Sequence, residues 1–274
     1  MAEVSVSTLD VKEENAVNTF YNVETAKVDY FHVDAMDGKF VEKNNLEQMK
    51  DYALKLHTIC MTPLDVHLMV QNPMEVIDDF IDQEPDRITF HLEACTNKDD
   101  VLKLIRYLIE NGVKVGIAVN PDTDIQKVYE YLPYIHMVLV MTVIPGKGGQ
   151  ALIPETLDKV RQLKEYCDNN DLDIDIEVDG GINDATGKDA KDAGANILVA
   201  GSFIWKAEDY KEAVSKLKEW FEKYYSSCCV KNFFKYPHVP SYAPVLKKFL
   251  PCNISNIFQM CVRREIERWK EKWF

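Results

Sequence analysis

Apolar residues over the first 226 positions alternate between two rhythms: short runs rich in Val, Ile and Leu, then longer stretches in which they recur every third or fourth residue. The first reads as buried strands and the second as amphipathic helices, because a strand covered on both faces is continuously apolar while a helix turns one stripe to the core. The strand runs are Val4 to Leu9, Val28 to Val33, Leu64 to Met69, Arg87 to His91, Val113 to Ala118, Ile135 to Met141, Leu172 to Val178 and Asn196 to Ala200. The helical rhythm covers Lys12 to Ala26, Asn45 to Leu56, Pro73 to Asp82, Asp99 to Glu110, Asp124 to Tyr131, Pro154 to Cys167, Asp184 to Ala193 and Glu208 to Tyr225. Pro73 suits a first helical turn, and Asn111-Gly112 makes a helix stop. Eight strand and helix pairs predict an α/β fold, a (β/α)8 TIM barrel over residues 1–226, since a doubly wound open sheet rarely needs eight such units.

Residues 227–274 leave this rhythm as a C-terminal extension. Prolines at 237, 240 and 244 break its first part, after which Ile254, Ile257, Phe258, Cys261, Val262, Ile266 and Trp269 fall on one helical stripe with basic residues beside it. Charge sharpens the division. Of the net −13, residues 230–274 carry nine Lys/Arg against three Glu, a balance of +6, which leaves −19 for residues 1–229. An acidic body repels nucleic acid, so no nucleic-acid partner is expected. We read the tail as a helix docked on that body, ahead of a partner or membrane-surface helix and of an extension without a role.

At 274 residues, 46% hydrophobic and 28% charged, the composition is that of an ordinary globular chain. The N-terminus lacks the basic start and apolar stretch of a signal peptide, and no apolar run is long enough to span a bilayer, so a cytoplasmic protein with no membrane span is expected. Seven cysteines without a CxxC pair predict free thiols rather than a disulfide framework or a cysteine zinc site.

In such a barrel the chemistry sits at the C-terminal ends of the strands. Strand two ends His32-Val-Asp34, strand three His67-Leu-Met69 and strand seven Glu177-Val-Asp179. Side chains two apart on a strand share a face, so two histidines and two carboxylates converge on one rim. Imidazole and carboxylate suit one divalent ion of the Zn, Fe, Co or Mn type. On the same rim, Gly146, Gly148 and Gly149 follow strand six, Gly180 and Gly181 follow strand seven, and Gly201-Ser202 follows strand eight and opens a short helix. Glycine lets an anion approach main-chain N–H groups, so the composite reads as metal plus phosphate.

The segments at 32–38, 65–69, 141–150, 177–182 and 199–202 resemble, in order, the motifs of ribulose-phosphate 3-epimerase. The resemblance implies a pentose phosphate pathway isomerase that interconverts D-ribulose 5-phosphate and D-xylulose 5-phosphate. It implies His32, Asp34, His67 and Asp179 as metal ligands, and Asp34 and Asp179 as the acid and base around a metal-stabilised enediolate. Inverting C3 needs two proton-transfer groups, one per face, and these aspartates come from well-separated strands. Met36, Met69 and Met141 match family methionines over the reacting carbons, where thioethers exclude water without donating a proton. Ser5 is implied as a substrate contact, and the phosphate falls to the glycine loops. A homo-oligomer is expected.

The chain also departs from the family pattern. Ser7 stands where an apolar residue is usual, the loop Phe40 to Lys43 lacks a usual proline, Ile144 replaces a polar residue and Lys147 replaces a Phe. His91 reads as a supporting residue, and Glu177 as a buried carboxylate in need of a partner. Two alternatives stay open: the same chemistry on a hexulose phosphate such as D-allulose 6-phosphate, and a non-catalytic phosphosugar-binding barrel.

Overall fold

The computed structural model describes residues 2–218; the tail with its expected helix, the boundary expected at 226 and the last turns of the helix expected over 208–225 lie outside the described residues. Eight parallel strands close on themselves in chain order, β1 (Glu3–Ser7), β2 (Tyr30–Met36), β3 (Leu64–Met69), β4 (Arg87–His91), β5 (Lys114–Val119), β6 (Met137–Met141), β7 (Asp175–Asp179) and β8 (Ile197–Ala200). The seam between β8 and β1 pairs Ile197 to Ala200 with Glu3 to Val6. The expected (β/α)8 barrel is therefore present. Among the described residues no helix is long and apolar enough to cross a membrane.

The helices are α1 (Ala16–Thr25), α2 (Leu46–Ile59), α3 (Ile77–Ile81), α4 (Lys98–Glu110), α5 (Thr156–Asn169), α6 (Asp184–Ala193), α7 (Ser202–Trp205) and α8 (Tyr210–Lys218). α4 shows how local sequence sets one of them. The Asn97 side chain accepts from the Asp100 N–H, acidic residues fill the first turn, and Val101, Leu104, Ile105 and Leu108 share the buried face. The stretch after β5, expected as an α-helix, is instead a 3-10 run over Ile125–Tyr134. Pro133 lacks the N–H and the room that an α-turn needs, and threefold turns stack Ile125, Val128 and Tyr131 on one buried side. β7 begins at Asp175 rather than Leu172, because the Leu172 N–H closes α5 by donating to the Cys167 carbonyl.

The outward faces of the strands form the core. Val4, Val6, Phe31, Val33, Val66, Leu68, Ile88 and Phe90 pack under the helices, and Phe20 of α1 meets Phe31 and Tyr52 edge-on at 5.8 and 5.3 Å. The interior is different. It holds a small apolar cluster of Ala118, Leu139, Met141 and Val143, while Ser5, His32, Asp65, Arg87, Thr89 and Glu177 are also buried there. Arg87 lies over the Tyr30 ring at 4.1 Å, with Asp86 3.2 Å and Asp175 3.8 Å from its guanidinium nitrogens. The Asp65 carboxylate adds to the balance of its charge.

Glu177, expected to need a partner, is fully buried among these groups. Burial and the neighbouring Asp65 charge push the Glu177 carboxyl well above the ordinary carboxylate range; neither of its oxygens has a hydrogen-bond partner among the described residues, and His32 Nδ1 lies 4.0 Å from its Oε1. The barrel thus carries a column of polar groups from Arg87 upward to the rim.

Candidate active site

At the top of that column four side chains meet. The Asn45 amide fixes the end of β2 by donating to the Asp34 carbonyl at 2.9 Å and accepting from the Met36 N–H at 2.8 Å. On β7, the Asp179 carbonyl accepts from both the N–H and the hydroxyl of Thr142, at 2.8 and 2.9 Å. The carboxylates are thereby held over the histidines. Asp34 Oδ1 lies 3.4 Å from His32 Nε2 and 3.3 Å from His67 Nδ1, and Asp179 Oδ2 lies 3.9 Å from His67 Nδ1. Each residue offers one atom such that all four lie within 4.8 Å of one another.

The donor set fits a divalent cation. His32 Nδ1 is 2.8 Å from Asp65 Oδ2, which orients the ring, while its Nε2 is buried with no hydrogen-bond partner. A histidine held by a carboxylate through one nitrogen and presenting the other is the usual arrangement of a metal ligand. Ligands about 2.0–2.1 Å from a tetrahedral ion lie roughly 3.3 Å apart, close to the His–Asp separations here. Burial lowers the His32 pKa, but Asp65 and Asp34 outweigh it and raise it overall; burial pushes His67 down to about 4. Burial and the Asp34 charge together push Asp179 up to about 7; burial raises Asp34 too, but His32 outweighs it and holds Asp34 well below the carboxylate range.

A cavity opens above the cluster. Asp34 and Asp179 form its floor, Met36, Met69 and Met141 line it, and Gly146, Gly148, Gly149, Gly180, Gly181, Gly201 and Ser202 form its outer wall. His32 and His67 are fully buried beneath it. The glycines after β7 are required by geometry: Gly180 and Gly181 have φ of 121° and 68°, and a Cβ on Gly181 would stand 2.3 Å from the Leu152 nitrogen. The Gln150 amide steadies the β6 loop by donating to the carbonyls of Ile144 at 2.6 Å and Lys147 at 2.8 Å.

One expected residue is elsewhere. Ser5 is fully buried below the cavity, where its hydroxyl donates to Asp65 Oδ2 at 2.8 Å, because on β1 it shares the level of the inner polar layer. Ser7, the same-face residue one step up, lines the cavity and donates to Asp34 Oδ2 at 2.6 Å. Asp65, Thr142 and Gln150 also went unnoticed in the sequence; for Ser7 and Asp65 the available signal was spacing, two residues from Ser5 and His67. Removing the hydroxyl in Ser7→Ala takes one charge-assisted bond from Asp34. We expect kcat to fall roughly tenfold, the equivalent of about 1.4 kcal/mol, with KM little changed in steady-state assays. An unchanged kcat would show that the bond does not tune Asp34.

Comparison with known proteins agrees with this geometry. The model of the ribulose-phosphate 3 epimerase family matches residues 3–205. The chain is 36% identical over 219 residues to ribulose-phosphate 3-epimerase of Bacillus subtilis, covering 80% of this chain and 99% of that protein. It is 40% identical over 190 residues to the protein of the same name from Mycobacterium bovis, covering 69% and 81%. Among solved structures, 3-hexulose-6-phosphate synthase from Salmonella typhimurium aligns over 78% of this chain and 96% of its own, with a TM-score of 0.58 and 18% identity. That last likeness speaks for the barrel alone.

Proposed function

The chain belongs to the ribulose-phosphate 3-epimerase family and is an isomerase acting on carbohydrates; on that premise we propose that it interconverts D-ribulose 5-phosphate and D-xylulose 5-phosphate, with Asp34 and Asp179 as the proton-transfer pair. The observation that carries this reading is the meeting of two carboxylates from β2 and β7 at the floor of a cavity walled by glycine loops. A ketose phosphate fits such a site in one orientation. The phosphate lies against the main-chain N–H groups of Gly146 to Gly149, Gly180, Gly181, Gly201 and Ser202, and C3 lies over the aspartates.

In the mechanism that follows, one aspartate removes the C3 proton beside the carbonyl, and the other returns a proton to the opposite face. The carbon configuration inverts and the pair exchanges protonation states. His32, Asp34, His67 and Asp179 would hold a divalent ion of the Zn, Fe, Co or Mn type, which when bound would supply Lewis-acid stabilisation of the negative charge that develops on the substrate. Met36, Met69 and Met141 keep water from the carbanionic carbon and have no proton to give it. Ser7 steadies Asp34 through its Oδ2. A cytoplasmic homo-oligomer completes the reading, and sedimentation of the full chain measures its assembly.

Incubating the metal-replete protein in D2O with D-ribulose 5-phosphate, and in parallel with D-allulose 6-phosphate, tests the reading by NMR at C3. Deuterium incorporation with inversion, faster for the pentulose, is the expected result. A faster hexulose would transfer the chemistry to that substrate, and no incorporation with either would leave a barrel that only binds phosphosugars.

A further inference from the structure

Beneath the cavity a second line of polar groups runs away from the His/Asp cluster toward β5. His67 Nε2 lies 2.9 Å from Nε2 of His91, the last residue of β4, with the two rings stacked at 5.0 Å and 27°. Both rings are fully buried, and the Phe40 ring lies 4.7 Å from His91. His91 Nδ1 in turn lies 3.2 Å from Glu93 Oε2. The other oxygen, Glu93 Oε1, accepts from the Asn120 N–H at 2.9 Å and from the Thr123 hydroxyl. Lys159 of α5 secures that loop by donating to the carbonyls of Asn120 at 3.0 Å, Pro121 at 2.7 Å and Thr123.

Proton counting along this line has one consistent solution for neutral rings. An ionised carboxylate only accepts, so His91 Nδ1 carries the proton and donates it to Glu93. Neutral His91 then has a lone pair at Nε2. Two imidazole nitrogens at 2.9 Å share a single proton, so that proton belongs to His67 Nε2. His67 is left with an unprotonated Nδ1 beside Asp34 Oδ1 at 3.3 Å and Asp179 Oδ2 at 3.9 Å. Two acceptors facing each other repel unless a cation lies between them. Glu93 stays ionised in this position. Burial opposes its ionisation, but hydrogen bonds from His91, Thr123 and the Asn120 N–H hold its pKa down to about 2.

We propose that Glu93 and His91 are positioning residues that fix the tautomer of His67, so that its Nδ1 lone pair faces a divalent metal; this rests on the metal-dependent reading of the cluster given above. Glu93 is the source of the order. It orients His91, His91 orients the proton on His67, and the ligand is set before metal arrives. Carboxylate to histidine to metal is a common outer-shell device, and here a second imidazole extends it by one step.

The test begins with 15N NMR of the histidine-labelled, metal-free full chain, followed by titration with Co2+. The expected wild-type spectrum has His67 protonated at Nε2 and His91 at Nδ1. In Glu93→Gln, the Asn120 N–H can only donate, so the amide oxygen takes the Oε1 place and the NH2 turns to His91 Nδ1. His91 then protonates at Nε2, and His67 is driven to the Nδ1–H form that cannot ligate. The His67 resonances are expected to exchange character, and Co2+ affinity to fall roughly 10–100-fold. Wild-type protein with His67 protonated at Nδ1, or with a doubly protonated His91, overturns the proposal whether or not the variant folds. So does a folded variant with unchanged tautomer and Co2+ affinity. A wild-type chain that epimerises with His67 in the wrong tautomer refutes the relay alone, whereas failure to bind Co2+ with the expected tautomer in place refutes the metal reading beneath it.

Discussion

Replacing Asp179 with Asn is expected to abolish inversion at C3 while leaving the fold intact. Asparagine keeps the shape and removes the proton-transfer group, and one positioned acid or base contributes roughly 10²–10⁴-fold to such a reaction. Because Asp179 sits against the Asp34 charge and is only partly covered, the change relieves repulsion and should not lower the unfolding midpoint. Asp34→Asn should abolish inversion as well, since the remaining carboxylate serves one face only. The pair of variants contains a sharper expectation. With one base left, a variant retains at most the exchange of the C3 proton that faces it, so the two variants should exchange opposite epimers in D2O. Inversion that persists in either variant, followed by NMR of the separated pentulose phosphates, would remove that residue from the mechanism.

The site was legible because strand parity is strict. His32 and Asp34, and Glu177 and Asp179, are two apart on their strands, so once the barrel is recognised their convergence follows from the alternation of faces. Depth was harder to read. Parity says that Ser5 and Ser7 face inward, but which of them reaches the cavity depends on the stagger of β1 against β8 and β2, and that is a property of barrel closure rather than of any one strand. Asp65 was missed for the same reason: beside His67 it looks like an ordinary inward residue, and its role comes from His32 on the next strand, set opposite it in the register. The 3-10 run before β6 was misread because its apolar spacing also suits an α-helix, and only Pro133 distinguishes them.

Stripping divalent metal with a chelator is expected to cost as much activity as losing either aspartate. Lewis-acid stabilisation of the transition-state charge is worth several kcal/mol, so the chelated protein should lose on the order of 10³-fold in kcat. The buried donors argue that stability should fall with it. His32 Nε2 has no other partner, and the two carboxylates otherwise face each other across neutral His67. An ion present at about 100 times its Kd stabilises the folded state by about 2.7 kcal/mol, a loss visible as a lower Tm on chelation. Nitrogen and oxygen donors without a thiolate do not select sharply among first-row ions, so Zn, Fe, Co and Mn should each restore turnover, differing in rate more than in whether they work. The described cysteines, Cys60, Cys95 and Cys167, are not part of the donor set, so thiol modification should leave the restored activity in place. Full activity in protein shown by elemental analysis to hold far less than one metal per chain would sink the metal-dependent mechanism. It would leave the aspartate pair to carry the negative charge of the intermediate with only main-chain N–H groups and protonated side chains to help, a burden that two adjacent carboxylates are poorly placed to bear.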